Sequence, residues 1–152
     1  EDANGNLVES NDSLKNNLKT WLNKNRMITD SIDILDAKIV NFGVEFEVMG
    51  KMQEDNTDVL SSCVNAIREK FNKYFDISEN LYISDIYSTL KNVESVLDVI
   101  SAKVVLKIGG NYSNTFFDFQ QNMSPDGRMI KIPQNVVLEL KYPDVDIKGV
   151  IR

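Results

Sequence analysis

The chain has 152 residues, enough for one well-buried domain with appendages but too few for two. Its composition, 42% hydrophobic and 26% charged with seven Gly and three Pro, excludes a disordered or collagen-like chain. A formal net charge of -6 repels phosphate backbones, so nucleic acid is not an expected partner, and no apolar run reaches the roughly 18–20 residues of a membrane-spanning helix.

The sequence opens Glu1-Asp2-Ala3-Asn4, without an initiator Met or the basic-then-apolar order of a signal peptide, and reads as a piece of a longer product or a processed chain. Residues 1–12 are polar and without period, as in a flexible tether. From Ser13, residues Leu14, Leu18, Trp21 and Leu22 recur at three- and four-residue spacings and mark one face of a helix that Asp12 or Ser13 can cap. So short a helix is marginal in isolation. Its apolar face must dock either on its own domain or on another chain.

The helix and its linker fill residues 13–36, and an α+β domain is expected over 37–152. Phe42, Val44, Phe46 and Val48 alternate with Asn41, Gly43, Glu45 and Glu47, the pattern of a half-buried strand over 37–49. Helical spacing returns over 57–75, with Val59, Leu60, Cys63, Val64, Ile67, Phe71 and Tyr74 on one stripe and Thr57 or Asn56 as cap. A shorter helix follows over 83–93, with Ile83, Ile86, Tyr87, Leu90 and Val93 inward. Strands are expected at 99–108 and 136–142; the acidic outward face of the 37–49 strand and the basic one of the 99–108 strand favour the pairing of those two. The predicted fold is thus α+β: a small, mainly antiparallel sheet with two helices on the Phe42, Phe46 and Leu106 face.

The long insertion 109–135 between the last two strands suggests a task. It holds Gly109-Gly110, the turn signal Pro125-Asp126-Gly127 and the aromatics Phe116, Phe117 and Phe119; Met129, Ile130 and Ile132 suggest a short strand, paired as a hairpin with 115–119. On a strand, Phe116 and Phe117 point to opposite faces, so one of them either meets another protein or is covered by the loop itself.

Catalytic chemistry is poorly provided for. There is no histidine, which removes the commonest general base and metal ligand. Cys63 is the only cysteine, so neither an internal disulfide nor a multi-cysteine metal site can form; on an apolar helix stripe it reads as a core thiol. The acidic groups Asp30, Asp33, Asp36 and Glu54, Asp55, Asp58 lack the spacing of a calcium-binding loop and read as solvated or capping residues. Gly109-Gly110 matches no phosphate-binding fingerprint. No catalytic residue, cofactor or metal is therefore expected.

The segments Asn17-Leu18-Lys19-Thr20-Trp21-Leu22, Arg26-Met27-Ile28-Thr29-Asp30 and Asp36-Ala37-Lys38-Ile39-Val40-Asn41-Phe42-Gly43-Val44-Glu45-Phe46-Glu47 resemble the carboxy-terminal region of the T-even-type phage baseplate wedge proteins, within the wider baseplate J family. The likeness is good over 14–108 and looser beyond. It implies a non-enzymatic structural role in the virion tail baseplate, assembled in the host cytoplasm. The partners implied are other wedge proteins and a second copy, in dimers that build a ring around the tail hub. Candidate interface residues are Leu14, Leu18, Trp21 and Leu22 on the helix, and Phe116, Phe117 and Phe119 in the insertion. The alternative is a small ligand- or glycan-binding module that uses the 109–135 loop, with Tyr112 and the phenylalanines for stacking.

Overall fold

A computed structural model describes residues 2–3, 5–27, 29–51, 55–71 and 75–152. The organising element is β1 (Lys38–Gly50), whose residues Val40, Phe42, Val44, Phe46 and Val48 are all buried on one face. Against that face lie α2 (Asn56–Phe71) and α3 (Ile83–Lys91), which contribute Val59, Cys63, Ile67 and Phe71, and Ile83, Ile86 and Leu90. Phe42 meets Phe71 and Phe75 edge-on at 5.9 and 5.6 Å between centroids, the geometry that aromatic quadrupoles favour. The expected α+β layer of helices on a sheet is the architecture found. Tyr74, placed on the α2 stripe by its spacing, lies outside the described residues.

The sheet is mixed rather than mainly antiparallel. On one side β1 pairs antiparallel with β3 (Val96–Lys107), so that Glu45 lies opposite Lys103 as the charge pattern suggests. Its other side pairs in parallel twice, with β5 (Val136–Glu139) along residues 38–41 and with β6 (Ile147–Ile151) along residues 44–48. β3 ends and β5 begins beside the same end of β1, on its two sides, so the stretch between them passes from one edge of the sheet to the other.

β5 stops at Glu139 where the strand was expected to continue to Tyr142, and between it and β6 the chain makes a one-turn helix, α4 (Pro143–Asp146). Pro143 sits in the first turn, where its missing N–H is no loss. The turn fits against the sheet because β1 has a glycine there: a Cβ on Gly43 would stand 2.6 Å from the Asp146 backbone oxygen and 2.5 Å from Lys107 Cε. Met129–Ile130, called β4, pairs with β2 (Leu81–Tyr82), not with residues 115–119 as a local hairpin would require. Burial decides this: Leu81, Ile130 and Ile132 all enter the common core.

Helix caps also differ from the simplest reading. α1 (Asp12–Asn23) is capped by Asn11, whose side chain accepts from the Leu14 amide, and the Asp55 carboxylate accepts from the Thr57 amide at the start of α2. Residues 1–12, read as a flexible tether, include an anchor: the Leu7 amide donates to Glu139, and its side chain packs on the core. No helix among the described residues is long and apolar enough to cross a membrane.

Candidate functional site

Two features stand apart from the core. The first is α1, whose lysines tie it to the linker that follows. Lys15 pairs with Asp36, which also accepts from the backbone and hydroxyl of Ser10, and Lys19 reaches Asp33 at 3.3 Å. These pairs turn the lysine side toward the linker and the apolar stripe away from it. Leu14, Leu18 and Trp21 are 62%, 45% and 61% exposed, Leu22 is half-buried, and no α1 residue is buried. The acidic residues Asp33 and Asp36 thus act as anchors for α1. Their pairing holds the Asp36 carboxyl below its ordinary value, through the Lys15 bond first and the Ser10 hydroxyl second, and raises Lys15 in return.

In the insertion the three phenylalanines separate. Phe119 is buried, Phe117 packs edge-on against it at 5.2 Å, and Phe116 is left 74% exposed. Phe117 and Phe119 are therefore engaged in packing within the insertion. Phe116 remains available.

The second feature is a polar latch between the insertion and the outer face of the sheet, which the sequence does not announce. Asn41 is almost wholly buried although its position in β1 faces away from the helices. Its Oδ1 accepts from the Ser113 amide at 2.7 Å, and its Nδ2 donates to Glu139 at 2.7 Å. The Ser113 hydroxyl donates to the Ile39 carbonyl, tying the loop a second time to β1. Close by, fully buried Asp146 accepts from the Tyr112 hydroxyl at 2.6 Å and from the Tyr142 amide at 3.0 Å, with Lys107 Nζ at 3.8 Å. The Tyr112 and Tyr142 rings meet edge-on at 5.5 Å. Burial first, and the hydrogen bond to Asp146 second, push the Tyr112 hydroxyl up to about 12.

A cavity of about 460 Å³ opens beside this latch, lined in part by Asn41, Ser113, Thr115, Glu139 and Lys141. Its polar groups are largely engaged within the chain: Glu139 by Leu7 and Asn41, and Lys141 by the Asn111 carbonyl at 2.6 Å. The Tyr112 ring, the expected stacking surface for a sugar, packs on Tyr142 instead. Cys63 is buried in the core, where desolvation pushes its thiol up to about 11 and keeps it a poor nucleophile. The signal that could have exposed the latch is an asparagine between two core valine and phenylalanine positions, but one polar residue on a half-exposed strand carries no such message alone.

No protein-family model matches the chain, and no curated protein matches it either.

Proposed function

We propose that this chain is a non-enzymatic assembly module of a phage tail baseplate wedge, which joins subunits through apolar surface that its own fold leaves uncovered. The observation that carries this reading is the orientation of α1. A helix whose lysines are tied inward and whose Leu14, Leu18 and Trp21 point outward has its best contact surface facing away from the domain. Large exposed apolar side chains on one face mark protein contacts more often than chance placement does, and tryptophan and other large aromatics dominate interface energetics. The resemblance of residues 14–108 to wedge proteins supports the same role, with a second copy and other wedge proteins as partners.

The test is sedimentation of the wild-type chain over a range of concentrations, compared with a Leu14→Ala, Trp21→Ala double variant. The double variant should shift toward monomer while its far-ultraviolet circular dichroism stays nearly unchanged, because neither side chain is buried. If association is unchanged in that variant but lost in Phe116→Ser, the insertion is the contact. A second reading, ligand binding, is favoured only by the cavity beside Asn41; retention of the chain on a glycan array would support it.

A further inference from the structure

β3 is the outer strand of the sheet, and among the described residues no strand pairs with its outer edge. The Ala102 amide donates to the Tyr87 hydroxyl at 3.1 Å, so it faces away from β1. Through the regular register from 101 to 107, alternate residues share that direction, which turns the amides of Val104, Leu106 and, by continuation, Ile108 outward. Among the described residues no backbone or side-chain acceptor outside the sheet meets these three amides. Ile108, at the end of the edge, is 49% exposed.

We infer that this edge pairs with the same edge of a second copy, antiparallel about a two-fold axis at Leu106, to make one sheet that runs through both subunits. Charge and geometry select this register. An axis at Val105 sets Lys103 against the second copy's Lys107, and an axis at Lys103 or Lys107 sets lysine against itself; like charges directly opposite are destabilising. An axis at Val104 needs the Ala102 amide that Tyr87 already holds. At Leu106 the opposed pairs are Leu106 with itself, Val104 with Ile108, and Val105 with Lys107, and Tyr87 keeps its bond. A self-complementary contact of this kind repeats each favourable pair twice. It uses a surface separate from the α1 stripe and does not depend on the reading of α1.

The experiment is amide hydrogen exchange by nuclear magnetic resonance on the full chain at low and high concentration, with sedimentation in parallel. Val104, Leu106 and Ile108 should exchange rapidly in dilute solution and slow by at least about tenfold as the dimer forms. Lys103, Val105 and Lys107, already bonded to β1, should change little. Ile108→Pro removes one outward donor and no bond to β1, and should weaken association by about tenfold or more with the fold intact by circular dichroism. A wild-type chain that stays monomeric at all concentrations overturns the inference. So does a dimer in which the three amides remain unprotected; if that dimer is also lost in the Leu14→Ala, Trp21→Ala variant, the subunit-joining role of α1 stands without the edge contact.

Discussion

The Tyr112 hydroxyl donates to a carboxylate, that of Asp146, which no solvent reaches, and so closes the insertion onto the turn between β5 and β6. A hydrogen bond to a charged buried group is worth more than a neutral one, because its loss leaves the charge under-solvated. Tyr112→Phe should therefore destabilise the fold by about 1.5–3 kcal/mol in urea titration. Because the Tyr112 value is raised from 10.0 to about 12, its contribution is complete below pH 10 and is lost as pH rises through about 12. Tyrosinate absorbance should show a late-titrating group in the wild type that the variant lacks.

Gly43 tests the fit of α4 against the sheet. An added Cβ meets the Asp146 backbone oxygen, which cannot swing aside as a side chain can. Gly43→Ala should cost about 1–3 kcal/mol as overpacking. Loss of the β6 pairing should be visible as faster exchange of the amides of residues 147–151. A neutral Gly43→Ala would mean that α4 does not sit where it is described.

Phe46 tests the assignment of the core face. Its ring is buried between β1 and the helices, close to Gly149, where a Cβ would stand 2.3 Å from Phe46 Cζ. Truncation leaves a cavity that the sheet cannot readily close, so Phe46→Ala should cost about 3–5 kcal/mol. A loss below roughly 1 kcal/mol would place the core on the other face.

The α1 anchor should respond to pH in a defined direction. Asp36 is depressed by Lys15 and Ser10, so its contribution is present above the ordinary carboxylate value and fades as pH falls through the lowered one. Lys15 is raised, so its share is present below the ordinary lysine value and is lost as pH rises through the raised one. Fluorescence anisotropy of Trp21 should fall at low pH as α1 comes free, and Asp36→Asn should show the low value at neutral pH. Equal anisotropy in wild type and variant would mean that the ion pair does not hold the helix.

Much of the fold is legible in the residues because local periodicity reports which side of an element is dry. The alternation from Val40 to Val48 and the stripe Val59, Cys63, Ile67 and Phe71 each mark the core face correctly, although Asn41 and Gly43, expected on the open face of β1, are buried as well. The alternation does not tell which neighbour a strand takes or in which direction. Hence the parallel pairing of β5 and β6 with β1, and the pairing of Leu81–Tyr82 with Met129–Ile130, differ from the expected antiparallel sheet and local hairpin.

The site divides in the same way. Spacing alone marks Leu14, Leu18 and Trp21 as one face, since a helix of any surroundings puts them together. Whether that face is core or surface depends on Asp33 and Asp36, which lie beyond the helix and capture its lysines. Phe116 and Phe117 are likewise adjacent and chemically identical, and only the packing of Phe117 on Phe119 decides which of the two is left exposed. Periodicity is a property of the backbone and is written in the chain, whereas burial of a polar group such as Asn41 or Asp146 requires partners brought from distant segments, Ser113, Glu139 and Tyr112, that only the folded chain assembles.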